Sequence, residues 1–161
     1  MKSRTVICLL LIQCSHMLAQ NHASKINSNG ETTVSVVVAK AKLIALFQTS
    51  SVEVSNDDKI PRLPQCTYSR VPCVIVRQLK IFVNGVEVFI PRSVYADLGD
   101  LQSAEFSQKD GLYTLTLTGG DASESYIARI AFDKQIRERR LYSAEDRAHA
   151  LETTRYHEVV N

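Results

Sequence analysis

The residue types best suited to chemistry lie together in one polar stretch at positions 118–125, which reads TGGDASES. Asp121, Ser123 and Glu124 bring carboxylate and hydroxyl groups that can bind calcium, take part in acid–base catalysis or hydrogen-bond a partner. The stretch lacks the D-x-D-x-D-G pattern of a calcium loop, the Lys-Ser/Thr of a phosphate-binding loop and the G-x-S-x-G of a serine elbow. We therefore expect no metal ion, nucleotide or other cofactor here, and interpret the glycines as a turn between two strands.

The histidines offer little for nucleophilic catalysis. A serine–histidine–aspartate site would have to be assembled from distant residues such as Ser123, His157 and Asp121, and no local pattern supports that geometry. We interpret His149 and His157 as surface residues that flank the last strand. The sequence thus predicts no catalytic residue and a protein that is not an enzyme.

A basic run, KQIRERR, contains Lys134, Arg137, Arg139 and Arg140. Such a run could bind an anionic partner, for example a lipid headgroup, a polysaccharide or an acidic protein. The favoured interpretation is a solvated strand at the edge of a sheet, where charges discourage aggregation.

The N-terminus has the three-part plan of a secretory signal peptide over residues 1–19, with Lys2 and Arg4 before an apolar run over 6–12. That run is shorter than the roughly 20 residues of a membrane-spanning helix. Cleavage after Ala19 is expected, and cleavage after Ala23 or lipidation at Cys14 are the weaker alternatives. The sequence predicts a periplasmic or secreted protein without a transmembrane segment.

Removal of the signal peptide changes the charge and the cysteine count. Without Lys2 and Arg4, Lys+Arg falls from 19 to 17 and equals the 17 Asp+Glu, so the remaining chain is formally neutral. A neutral chain is poorly suited to nucleic acid, because that affinity rests on phosphate neutralisation. Cys66 and Cys73 remain and predict a disulfide in an exported protein, worth roughly 2–3 kcal/mol for so short a loop. Free thiols and a metal site are the alternatives.

The first half of the remaining chain is rich in β-branched residues. Residues 20–32 are polar and predict a flexible segment, and residues 33–47 predict a strand whose later part, 39–47, could be strand or helix. A short strand is expected at 51–54 and a long loop at 55–72. Two β-rich runs joined by Asn84-Gly85 then predict a two-residue hairpin.

The second half alternates between apolar and polar positions. Residues 91–101 predict one or two helical turns, with Ser93 as a cap and Gly99 as a stop. A second hairpin is expected at 109–111, and strands are expected at 112–118, 125–133, 135–143 and 153–160, with a short helix at 144–152. The sum is a single domain over 33–161. It is mainly β, an antiparallel sandwich or open barrel of seven to nine strands with one or two short helices.

Four segments, IFVNGVEVFIPRSVYADLGDLQSAEF, LTGGDASESYIARIAFD, RRLYS and LETTRYHEVV, resemble small uncharacterised exported proteins of proteobacteria. The resemblance covers roughly half of the chain. It implies a periplasmic location, and it implies neither an activity nor any site residue.

The sequence therefore favours a non-enzymatic protein that binds a protein or an envelope ligand, similar in size and location to inhibitors and immunity proteins. An envelope hydrolase is one alternative. A structural accessory subunit is another, and it predicts an exposed apolar patch or an unpaired strand edge. The expected binding residues are those assigned to exposed loops: Arg92, Tyr95, Asp121, Ser123, Glu124 and Tyr126.

Overall fold

The computed structural model describes residues 23–53, 63, 65–67 and 70–157. The predicted signal peptide at 1–19, Val54 of the strand expected at 51–54 and most of the loop expected at 55–72 lie outside the described residues.

The described residues form ten strands in two antiparallel sheets, which pack as a sandwich. One sheet has six strands in the order β1-β6-β7-β8-β9-β10 and the other has four in the order β2-β3-β4-β5. The strands are β1 Ser24–Lys25, β2 Gly30–Val38, β3 Ala41–Val52, β4 Cys73–Val83, β5 Val86–Val88, β6 Leu101–Lys109, β7 Leu112–Gly119, β8 Tyr126–Phe132, β9 Ile136–Ser143 and β10 Glu152–Arg155. The mainly β, antiparallel prediction is confirmed, with ten strands in place of seven to nine.

The core lies between the sheets and follows the alternation of the strands. Leu115 and Leu117 of β7 are buried, and Thr114, Thr116 and Thr118, which alternate with them, lie on the opposite face. Phe106 and Phe132 meet edge to face with ring centroids 6.2 Å apart. The one-sided pattern of β7 thus places its apolar residues in the core, as predicted.

Three tight turns join neighbouring strands, and each has positive φ at both central residues. The predicted turn at Asn84-Gly85 is confirmed, and the hairpin expected at 109–111 turns at Asp110-Gly111, because Lys109 still pairs with Leu112. The third, Ala39-Lys40, has φ values of 47° and 71° and joins β2 to β3, so residues 41–47 are strand. Alanine and lysine do not signal such a turn. Nine consecutive cross-strand pairs between β2 and β3 hold it in place.

Asn84 does more than accept positive φ. Its side-chain Oδ1 accepts from the Lys42 amide at 2.9 Å, and its own amide donates to the Lys42 carbonyl at 2.8 Å. Replacing Asn84 and Gly85 together with valine is expected to lower the free energy of unfolding by roughly 2–4 kcal/mol, because two β-branched residues would enter the left-handed region and one hydrogen bond would be lost. Urea denaturation measures this change, and unchanged stability would contradict the turn.

Four predictions about local structure are wrong, and two of them concern the first part of the chain. Within the segment expected to be flexible, 20–32, Ser24 and Lys25 pair with β6 and Ile26 is only 3% exposed, because that one large apolar side chain packs into the core. Ser93 does not cap a helix, since it lies inside a single 3₁₀ turn, Arg92–Val94, that begins after Pro91.

The other two corrections concern the C-terminal third. The basic strand β9 is an inner strand, because β10 pairs with it on the side opposite β8. Residues 144–152 form no helix. Asp146 instead accepts from the amides of Ala148 and His149 at 2.9 and 3.2 Å, which closes a turn in place of a helical start.

The predicted disulfide between Cys66 and Cys73 is confirmed, with Cα atoms 5.5 Å apart. Cys66, Cys73 and Ile75 form a small second cluster against Val52, separate from the main core. The disulfide therefore ties Cys66 to the first residue of β4.

Candidate functional site

Three of the six predicted binding residues share one cleft. Ser123, Glu124 and Tyr126 line a cleft of about 260 Å³ whose other walls come from the disulfide loop, from the loop before β6 and from the β9–β10 connection. Asp121 lies at the start of the same loop. Arg92 is exposed but does not line this cleft, and Tyr95 is buried in the core, so its predicted role as an exposed contact is wrong.

The polar stretch at 118–125 is a turn, as predicted. Asp121 accepts from the Ala122 amide at 2.9 Å and precedes a single 3₁₀ turn, Ala122–Glu124. Gly120 has a φ of +76°, and a Cβ there would overlap the Glu124 carbonyl. The second glycine is therefore required by the tightness of the turn, and it leaves Ser123 and Glu124 exposed at the mouth of the cleft.

Tyr126 forms the inner wall of the cleft. It pairs with Gly119 across β7 and β8, and a Cβ at Gly119 would collide with the tyrosine ring. The Tyr126 hydroxyl donates to the Gly99 carbonyl at 2.9 Å. Burial, together with the negative charges of Asp97 and Asp100, raises the pKa of this hydroxyl well above its usual range. Tyr126 therefore stays protonated and is a hydrogen-bond donor that holds two loops together.

Arg139 holds the loop before β6 in place through Asp97. Its side chain is 2% exposed, and its two terminal nitrogens donate to Asp97 at 2.6 Å and to Glu152 at 3.0 Å. The sequence does not indicate this role, since the partners lie 42 and 13 residues away and no local pattern links them. A buried guanidinium held by two half-exposed carboxylates positions the cleft wall.

The other arginines of the basic run are also paired within the chain. Arg137 donates to both carboxylate oxygens of Asp133 at 2.8–3.1 Å, and Arg140 forms an ion pair with Glu138. The Arg137 guanidinium beside Asp133 holds the pKa of that carboxyl below its usual range. These arginines consequently do not form the cluster of free cations that an anionic partner would need.

Asp100 is a fully buried carboxylate behind the cleft. It accepts from the Thr67 amide at 3.1 Å, from the Thr67 hydroxyl at 2.7 Å and from the Val74 amide at 2.9 Å. Thr67 follows Cys66 and Val74 follows Cys73. The carboxylate thus fastens both ends of the disulfide loop, which is a structural role.

Acid–base chemistry has one candidate pair. His149 Nδ1 lies 2.9 Å from the Asp146 carboxylate, and their side chains are 86% and 54% exposed. The His149 hydrogen bond and two backbone amides lower the pKa of Asp146. In the described part of the chain no serine or cysteine is hydrogen-bonded to this imidazole, and no three potential metal ligands cluster.

A second surface stands out on the outer side of the four-stranded sheet. Ile44 lies directly opposite Phe82, Leu46 follows Ile44 along the same face of β3, and Val37 lies diagonally across on β2. Val37 and Phe89, the latter just after β5, are 64% and 81% exposed, and the other three are half-buried. We call these five residues the apolar face.

Comparisons of the chain with protein-family models, with curated proteins and with solved structures gave no match. The part of the chain that the structure describes contains no helix long and apolar enough to cross a membrane.

Proposed function

We propose that this chain is an exported, non-enzymatic binding protein that presents the apolar face to a partner protein. The observation that carries the proposal is the composition of that face. The solvent side of an antiparallel sheet is ordinarily polar, whereas here Ile44 and Phe82 are direct cross-strand neighbours. Leu46 is the next outward residue along β3, and Val37 lies diagonally across from Ile44 on β2.

The six-stranded sheet provides the internal comparison. Its outer face carries Thr114, Thr116 and Thr118 on β7, opposite Ser103, Glu105 and Ser107 on β6. On β6 and β7 the outer face is therefore hydroxyl-rich, whereas the outer face of the four-stranded sheet combines the apolar face with charged residues such as Lys42, Lys80 and Glu87. Contiguous exposed apolar residues rimmed by polar ones are typical of protein-binding surfaces, and aromatic residues such as Phe89 are enriched in them.

The rim of the apolar face suits a protein partner as well. Lys80 and Glu87 lie 3.9 Å apart beside Phe89, and Gln48 and Gln78 are exposed further along the same face. An apolar centre with a polar, partly charged rim is the usual composition of a protein–protein interface. A small envelope ligand would instead be expected to need an enclosed pocket with a few convergent polar groups.

The predicted location is consistent with the Cys66–Cys73 bond, because disulfides form and persist in oxidising compartments. Together with the predicted signal peptide, this supports a periplasmic or secreted protein. Detection of the mature chain in a periplasmic fraction, with Gln20 or Ser24 as its first residue, would test the location directly.

A photo-crosslinking amino acid at position 89 is expected to trap a protein partner in the native envelope, because Phe89 is the most exposed member of the apolar face. The same amino acid at Leu151, which is 70% exposed and lies at the cleft, is the matched control. A defined adduct from position 89 that is absent or much weaker from position 151 supports the proposal.

Equal adducts from both positions, or none from position 89, would contradict it. Once the partner is identified, a permanent stoichiometric complex with it would indicate an accessory subunit of an assembly. A complex that dissociates and reforms would indicate an inhibitor or immunity-like role. The hydrolase alternative has the His149–Asp146 pair in its favour. Release of soluble fragments from purified cell wall, abolished by His149→Ala, would support it over binding.

A further inference from the structure

One of the two edge strands of the four-stranded sheet, β2, has one side without a partner among the described residues. Val38 and Ala41 flank the two-residue turn, so they form a hydrogen-bonded pair. Because hydrogen-bonded pairs alternate along an antiparallel ladder, every second residue of β2, counted back from Val38, is also hydrogen-bonded to β3. The backbone groups of Glu31, Thr33, Ser35 and Val37 therefore point away from the sheet. Asn27 donates to the Glu31 carbonyl at 2.9 Å, which closes that end.

The remaining edge, Thr33 to Val37, is open among the described residues. β2 lies beside β6 of the other sheet without pairing to it, and Thr33, Ser35 and Val37 are all exposed. We call these three residues the open edge. It carries none of the devices that usually protect an edge strand, since it has no proline, no lysine and no bulge over nine continuous pairs.

We propose that the open edge pairs antiparallel with the open edge of a second copy of this chain, around a two-fold axis at Ser35. In this register Ser35 faces Ser35 of the other copy, and Thr33 faces Val37. Each facing pair of outward residues exchanges two hydrogen bonds, and three such pairs give six bonds. If the axis moved by one residue, the backbone groups at one end of the open edge would face either Glu31 or Ala39 of the other copy. The register centred on Ser35 is therefore the one in which every residue of the open edge faces another residue of the open edge.

The side chains and charges agree with this arrangement. Ser35 meets Ser35, and Thr33 meets Val37, so no like charges come together on the shared sheet. Glu31 lies opposite the Ala39-Lys40 turn of the other copy, where the exposed Lys40 and Lys42 supply positive charge. The open edge therefore complements itself in hydrogen bonding and in charge.

Pairing of this kind joins two four-stranded sheets into one sheet of eight strands. Because the two-fold axis is perpendicular to the sheet, both apolar faces lie on the same side, with Val37 of each copy at the junction. The inference goes beyond the proposed function and is independent of it, since a monomer could still bind a partner through Phe89.

Single cysteines test the register. In the mature chain that begins at Gln20, with the native disulfide intact, Ser35→Cys is expected to form a disulfide-linked dimer on mild oxidation, because facing Cα atoms in such a pair are about 5.5 Å apart. Thr33→Cys alone and Val37→Cys alone are the matched controls and should form no disulfide-linked dimer, because neither cysteine faces another across the axis. An equal mixture of those two variants should cross-link.

Sedimentation velocity from about 1 to 100 μM tests the dimer without cross-linking. The unmodified chain is expected to dimerise. Ser35→Pro removes an amide that makes no bond to β3, so it should weaken the dimer at least about tenfold while the fold persists. Ser35→Lys serves the same purpose if the proline variant does not fold. The proposal is overturned if the unmodified chain stays monomeric throughout this range, even if its open edge binds a strand of another protein. It is also overturned if the chain dimerises and neither variant weakens the dimer.

Discussion

Asp100→Ala is expected to lower the free energy of unfolding by about 3–5 kcal/mol, the largest effect of any single carboxylate in the described chain. The side chain is fully buried and accepts three hydrogen bonds from Thr67 and Val74. Each buried donor left without a partner costs roughly 1–3 kcal/mol. Urea denaturation at neutral pH, with the disulfide intact, measures the loss.

Asp100→Asn separates the charge from the backbone effect. Asp100 has a φ of 50°, which asparagine adopts at a lower cost than alanine, and an amide keeps one acceptor oxygen. We expect a loss intermediate between wild type and Asp100→Ala. The exposed Asp110→Asn, also at positive φ, is the control and should be nearly neutral. A loss below about 1 kcal/mol for Asp100→Ala would contradict the role of this carboxylate.

Gly99→Ala is the second large effect, with an expected loss of about 3 kcal/mol or more. A Cβ at Gly99 would overlap the backbone carbonyl of Gln65, which the neighbouring disulfide prevents from moving freely. Overpacking against a side chain typically costs roughly 1–3 kcal/mol, and a backbone obstacle costs more. The Tyr126 hydroxyl, which donates to the Gly99 carbonyl, would also lose its geometry.

Gly111→Ala is the matched control for this substitution. Gly111 has a φ of +81° and open space around it, so alanine there meets only the left-handed strain of about 1 kcal/mol. Alanine at position 99 meets no left-handed strain and only the steric obstacle of the Gln65 carbonyl. Equal losses for the two variants in thermal or urea unfolding would show that the contact with Gln65 does not constrain the fold.

Structural features that are determined by adjacent residues could be predicted from the sequence. Asn84-Gly85 and Asp110-Gly111 identify their turns because few residue pairs accept positive φ twice. The alternation of β7 and β8 indicates one buried face, and two cysteines outside the predicted signal peptide indicate the disulfide. The glycines before Asp121 were correctly interpreted as a turn, because each alternative site lacked a required residue.

Features that depend on distant partners could not. Arg139 looked like a solvated charge on an edge strand, and only its two carboxylate partners and the pairing of β10 explain its burial. Tyr95 looked like a loop contact, but the 3₁₀ turn directs it into the core. The apolar face could not be predicted either, because Ile44 and Phe82 become neighbours only when β3 pairs with β4.

The Tyr126 cleft is built from five separate parts of the chain: residues 65–67, 97–98, 123–126, 141–143 and Leu151. None of these parts forms a wall alone, and the contacts that unite them span tens of residues in sequence. Folding that depends on such long-range contacts is slow, and the cleft exists only once all five parts are in place. An antibody fragment selected against this cleft would therefore recognise only fully folded, oxidised molecules, and would report the maturation of the protein in a cell without touching the apolar face.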